Sequence, residues 1–473
     1  MFGYEIKNKN WQWLTLLVFG LIAMFAAREI IAMVNSLFAC SISENFWQHS
    51  IIYCGSFLIA GAIFLFGYRL SKNLWWAIAV VIGHHLIWVM VNAVDFPLTD
   101  DYGMLLSFAV DFIRNATTEN RLNLLSGTYN ETRPVLNRFL FLSYYHLSSS
   151  LNFATYTILV NVLFMAIIPV MYFLVDRSLA WLAIFAILVF TISSYDTYLW
   201  ASTANYLFCV LFATMAILFA TKNKTIHFVL SLVAGAACLL SFGNGILLFP
   251  LLILFFLLNK KYVRAATTFL LCAVLVVAYL FQYSYWPTQN FSLPTLSGFF
   301  SYAVVFAGSS FQFMYQYWLP AIAGSILLAA CIHLLYKKAW LYTPLFYLLL
   351  FLWGSAFIAA LFRSNMGLAQ AFSNRYMFYS ALIIATTLMC YQHLYPLLFK
   401  RNFKIILIGC IGIRMLGGIF FYPEAALRKQ RLMELQRQYC NGQQLQPDQM
   451  IVPGEATMIL DKARQNNMYD CCK

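Results

Sequence analysis

Charge is what this sequence has least of: only 10% of its 473 residues are Asp, Glu, Lys or Arg. A soluble domain needs polar faces on its helices, and most of the apolar runs here have none. The runs recur at lengths of about 18 to 22 residues, enough to cross a bilayer as helices. There are too many for one anchor on a soluble enzyme, so the membrane part must carry the function. Other absences narrow the field. The eleven cysteines show no metal-ligand spacing, and eight of them, from Cys40 to Cys410, lie in or beside apolar segments, where a free Cys behaves as a small apolar residue. No internal repeat is visible, which disfavours the inverted-repeat architecture of many transporters. The first apolar run is too long for a cleavable signal peptide and lacks a small-residue cleavage site.

What is present is 62% hydrophobic and carries a net charge of +13. The surplus does not form a nucleic-acid-binding patch. It sits in short connections, at Arg69 and Lys72, Lys222 and Lys224, Lys260 and Lys261, Lys337 and Lys338, and Lys400 and Arg401. These connections alternate along the chain, which is the positive-inside pattern. The implied contact is a lipid bilayer, with no nucleic-acid partner.

The expected fold is therefore all-α and polytopic, with about thirteen spans. They fall near 12–34, 49–68, 73–92, 151–174, 178–194, 203–221, 226–242, 245–259, 264–282, 318–336, 341–361, 376–396 and 404–421. With the N-terminus cytoplasmic, the bundle (1–421) sends its long, chemically varied segments to the outer side: 93–150, 195–202, 241–245, 283–317 and 362–375. Within 93–150, Gly103 to Arg114 and the stretch RPVLNRFLFLSYYHL read as helices embedded at the interface. The tail (422–473) reads as two short polar helices, too small for a core of its own, and so a lid or packing element. A disulfide between Cys440 and either Cys471 or Cys472 is open if the tail is in an oxidising compartment.

The chemistry concentrates in the outer segments. VNAVDFPLTDDYG places Asp95, Asp100 and Asp101 at a membrane edge, where a carboxylate is costly and is a functional-site candidate. Partial desolvation would raise a carboxylate's pKa and make it a better base near neutrality. Asp95 with a neighbour could instead hold a divalent ion such as Mg²⁺ or Mn²⁺. The blander alternative is that Thr99 or Asp100 caps a helix starting near Tyr102. Arg133, Arg138, Arg363 and Arg375 lie on the outer side against the positive-inside bias, and a guanidinium fork suits phosphate. Each alone also reads as a snorkelling residue. Trp200, Asn205 and Tyr206 in WASTANYL, with Asn244, offer the aromatic faces and amides that sugar binding needs, or simply an aromatic belt. Trp286 and Gln289 could join that pocket. His84 and His85 read either as a proton relay or as buried, hydrogen-bonded side chains.

In order, these features are an acidic DDY in an outer loop, interfacial helices with an Arg-Pro, a W-x-x-x-x-N-Y segment, a Gly-rich outer turn and a late N-R-Y. The arrangement resembles the GT-C membrane glycosyltransferases, particularly the bacterial O-antigen-modifying (serotype-converting) transferases. It departs from them in that the acidic loop follows the third apparent span rather than the first. The resemblance implies sugar transfer from a polyprenyl-phosphate donor to an acceptor such as O-antigen, on the periplasmic face of a bacterial inner membrane. It implies that Asp100 or Asp101 is the base toward the acceptor hydroxyl and that Arg375 meets the donor phosphate. The rivals are a flippase of lipid-linked glycans, which would need charges along a mid-span path, and an O-antigen polymerase or ligase.

Overall fold

The computed structural model describes residues 12–38, 44–115, 117–130, 132–281, 293–313, 316–443, 445 and 453–472. Cys40, Trp286 and Gln289 lie outside them. The described residues form helices and turns, with one isolated bridge between Tyr129 and Thr132. Nine of these helices are long and apolar enough to cross a membrane, or ten if the bent pair Leu179–Val189 and Ile192–Leu199 counts as one span. Three further expected spans are present as shorter apolar helices: Gln12–Phe25, Thr225–Ser241 and Gly243–Leu258. A fourth short apolar helix, Leu296–Phe311, falls where the sequence suggests an outer loop. Its apolar run is below the length of about 20 residues that marks a span, which is why hydropathy passes it over.

The spans differ in how they are used. The Asn374–Leu394 and Ala201–Ala220 helices are buried along most of their length, whereas Tyr262–Leu280 buries few of its residues. Apolar side chains such as Val263, Val274 and Val277 point outward from it, as expected of a helix bathed in lipid. Several polar groups inside the bundle are bonded to one another. Arg414, buried on the Pro396–Cys440 helix, donates to the Ile187 carbonyl at 3.2 Å, to the Phe190 carbonyl and to His84 Nδ1 at 3.3 Å. His84 also meets Ser56 Oγ at 3.1 Å, and His85 Nε2 meets Asn161 Oδ1 at 3.3 Å. The hydrogen-bonded reading of the two histidines fits this packing.

Two segments near the candidate site take shapes that periodicity alone does not give. The stretch after the acidic residues is wound as a π-helix over Asp101–Ser107, a short α-turn, and a second π-helix over Asp111–Asn115. Tyr102, Met104, Leu105, Leu106 and Phe108 to Val110 are all buried, so it packs inside protein on most sides instead of showing one apolar stripe. The first of the two expected tail helices is likewise the end of a longer one. Pro396–Cys440 is a single 45-residue helix running through Pro423, about 67 Å long at 1.5 Å per residue. The Pro453–Gln465 helix then lies against the Asp101–Ser107 turn, and a disulfide joins Cys440 to Cys472.

Candidate active site

The two adjacent aspartates face different surroundings. Thr99, just before them, has φ +38°, a conformation that costs a β-branched residue about 1–3 kcal/mol. Asp101 turns inward and is only 2% exposed. Its Oδ2 accepts the Leu98 N–H at 3.1 Å, and its Oδ1 accepts both the Ser202 N–H at 2.8 Å and the Ser202 hydroxyl. Burial pushes this carboxyl up to about 7, against the opposing pull of those donors. Asp100 faces a cavity. Asn130 Nδ2 lies 3.5 Å from its Oδ1, and the Tyr129 side chain is hydrogen-bonded to it. Neither Thr99 nor Asp100 caps the following helix: the Thr99 hydroxyl has no partner among the described residues and Asp100 makes no cap bond.

The cavity holds about 440 Å³. The acidic segment forms one wall, and Trp200, Asn205 and Tyr206 form another. The two walls are stitched together, because Ser202 binds Asp101 while Trp200 Nε1 donates to the Leu98 carbonyl at 3.0 Å. The third wall comes from Arg363, Gln370 and Arg375. Buried polar atoms are normally paired, so exceptions call for an explanation. Four lie on this one cavity: Thr99 Oγ1, Asn205 Oδ1, Gln370 Oε1 and Arg375 Nε have no partner among the described residues.

Arg375 is the second residue of the Asn374–Leu394 helix. Its guanidinium carbon stands 5.9 Å from the Trp200 ring centre and 5.3 Å from that of Tyr376. The rings fix the group by cation–π contact without using its hydrogen-bonding edge, and the helix N-terminus adds positive potential nearby. Arg363 donates from Nη1 to the Tyr376 hydroxyl at 2.8 Å. It lines both this cavity and a second one of about 360 Å³. That second cavity is walled mainly by apolar groups, among them Phe242, Ile246, Leu280, Phe306 and Ile358. Thr132, Tyr206, Phe242, Phe362 and Arg363 are common to both. A polar chamber and an apolar chamber thus share a wall that carries a guanidinium.

Besides the inward-turned Asp101, three sequence candidates stand apart from the polar chamber. Arg133 lines neither cavity; it donates to the Ser126 carbonyl at 2.7 Å and to the Phe281 carbonyl, and lies over the Tyr279 ring. Asn244 lines the apolar cavity alone. Asp95 uses its carboxylate on Asn152 Nδ2 and the Phe153 N–H, both at 2.8 Å, anchoring the start of the Phe153–Phe164 helix. Burial raises this carboxyl to about 6. Among the described residues, the one group of three side chains close enough to share an ion is Cys440, Cys471 and Cys472, and two of these are joined as a disulfide. The divalent-ion expectation at Asp95 gains no second carboxylate.

No protein-family model matches this chain, and no curated protein or solved structure is significantly similar to it. The site rests on its own geometry. Sequence reasoning missed Tyr129, Gln370, Phe242 and Phe362 as cavity walls. Gln370 had a signal, lying five residues before Arg375 in the connection between two apolar helices. Tyr129 had none, since only the chain's return past Gly103 brings it beside Asp100.

Proposed function

We propose that this protein is a membrane glycosyltransferase that moves a sugar from a polyprenyl-phosphate donor to a glycan or lipid-linked acceptor. The observation that carries the reading is the convergence of four unpaired buried polar atoms with Asp100 and Arg375 on one chamber that adjoins an apolar one. Asn205 Oδ1 and Gln370 Oε1 are acceptors for sugar hydroxyls, and the Trp200 ring offers a flat face for C–H surfaces. The apolar chamber suits the first isoprenoid units, and Arg363 stands where a phosphate joining lipid to sugar would lie.

The chemistry follows from those positions. Asp100 takes the proton from the acceptor hydroxyl as its oxygen attacks the anomeric carbon. The sugar–phosphate bond breaks, and Arg363 with Arg375 stabilises the departing phosphate. Asp101 holds the Ser202 and Leu98 amides and so fixes the two walls, a positioning role. A carrier-linked sugar brings its own leaving group, so this chemistry needs no nucleotide-binding segment. The Cys440–Cys472 bond on the same side supports an extracytoplasmic site, since such bonds persist in oxidising compartments. A bacterial inner membrane with the site on its periplasmic face is the setting this reading favours. A flippase is less well supported, because the mid-span Arg414 is bonded to backbone and His84 instead of lining a path.

The test is envelope-glycan mass spectrometry with and without the gene, followed by transfer assays on membranes carrying Asp100→Asn. Loss of a hexose on deletion, and its absence with the variant at normal expression, is the expected result. Full transfer by Asp100→Asn would sink the assignment.

A further inference from the structure

The three cysteines of the tail form a cluster that the reaction does not use. Cys440 ends the long helix, Cys472 is bonded to it, and the Cys471 sulfur lies within 4.8 Å of both. Within the loop they close, residues from Lys462 to Tyr469 are bound directly to the acidic segment and its neighbours. The Tyr469 hydroxyl donates to the Asp95 carbonyl at 2.9 Å, and Met468 O accepts the Leu151 N–H at 2.8 Å. Lys462 pairs with Asp111 at 2.7 Å, and Arg114 donates to the Asn466 carbonyl at 3.2 Å. Ile459, Leu460, Ala463 and Met468 are buried in the same core as the acidic segment.

We propose that Cys440, Cys471 and Cys472 are a thiol–disulfide exchange centre that locks the tail over the acidic loop, so that the candidate active site matures only on oxidation. The lock forms when Cys440 and Cys472 give up two electrons and two protons to a disulfide-carrying oxidant of the compartment. Cys471 supplies a second register. Its thiolate attacks Cys440 Sγ, the Cys440–Cys472 bond breaks, and a Cys440–Cys471 bond forms. Cys472 leaves as a thiolate and takes the proton Cys471 lost, so the exchange is redox-neutral. Burial pushes the Cys471 thiol up to about 11, which keeps it protonated while the tail is seated. Loosening of the tail makes it a competent nucleophile. Either register leaves the tail tethered, which explains why two adjacent cysteines serve one partner. The link to sugar transfer rests on the function proposed above; the lock itself does not.

The test uses full-length protein purified in detergent after expression with export to an oxidising compartment. Free thiols are blocked with N-ethylmaleimide, and peptides are mapped without reduction. Wild type and Cys471→Ser should give a Cys440–Cys472 cross-link, and Cys472→Ser should give Cys440–Cys471. Dithiothreitol applied to folded wild type should raise amide exchange across residues 95–113 by about tenfold or more, as expected of a segment whose opening has become easier. It should also abolish transfer in the same sample. Full alkylation of all three cysteines in untreated protein overturns the lock, as does unchanged exchange across 95–113 after reduction. Absence of a cross-link in Cys472→Ser overturns the second register. If the lock is found but wild type transfers no sugar, the glycosyltransferase reading fails and the lock stands.

Discussion

A side chain at Gly103 would place its Cβ 2.9 Å from a ring carbon of Tyr129 and 3.0 Å from its hydroxyl. The glycine of DDYG is thus the gap through which Tyr129 reaches Asp100. Gly103→Ala must push the ring aside and disturb the hydrogen bond on the candidate base. Transfer should fall by about tenfold, as expected for a catalytic group moved by a fraction of an ångström. Tyr129→Phe should lower turnover with little change in KM, and adding Gly103→Ala to it should cost less than the two losses combined. Steady-state kinetics on the two single variants and the double variant decide this.

Asp100 and Asp101 should separate by phenotype. Asp100→Asn should reduce transfer by about 10²–10⁴-fold, the range for a lost general base, with an unchanged thermal midpoint. Asp101→Asn should destabilise by about 1–3 kcal/mol, because an amide NH₂ must face either the Leu98 or the Ser202 donor. Thermal unfolding in detergent beside activity assays distinguishes the two. Equal unfolding midpoints for both variants would contradict the division of roles.

The buried acids give stability a pH dependence of known sign. Burial raises Asp101 to about 7 and Asp95 to about 6 from an ordinary value near 3.8. A raised acid stabilises the fold fully below its unfolded pKa, and that contribution fades as pH climbs through the folded value. Between pH 4 and 7 the thermal midpoint should therefore drop, by roughly 5 °C or more. Asp101→Asn, which cannot ionise, should flatten the part of the slope nearest pH 7. A midpoint that rises across this interval in wild type but not in the variant would reverse the assignment.

The arginines should also divide. Arg375→Gln should weaken binding of a polyprenyl phosphate by about tenfold or more, the scale of a charge-assisted hydrogen bond. Arg375→Lys should recover little, since a compact ammonium cannot be held between Trp200 and Tyr376 as a planar group is. Arg133→Gln should lower the unfolding midpoint, because it releases the Ser126 and Phe281 carbonyls, while binding per folded molecule stays the same. Ligand-induced thermal shift on the three variants reads both effects.

The acidic segment, the WASTANYL segment and Arg375, which line one cavity, were legible as candidates because each breaks a rule of membrane sequences: charge where it is costly, or polar groups among aromatics. Arg133 breaks the same rule for a structural reason, since its carbonyl partners come from distant turns that spacing cannot reveal. Composition and hydropathy also established an all-helical chain with many apolar helices. They could not separate spans from shorter buried helices such as Leu296–Phe311, because apolar length is the same signal in lipid and in a protein core. The choice between Asp100 and Asp101 belongs to tertiary structure alone. Adjacent residues share every sequence property, and only the return of Ser202 and Tyr129 gives one carboxylate its donors and leaves the other facing the cavity.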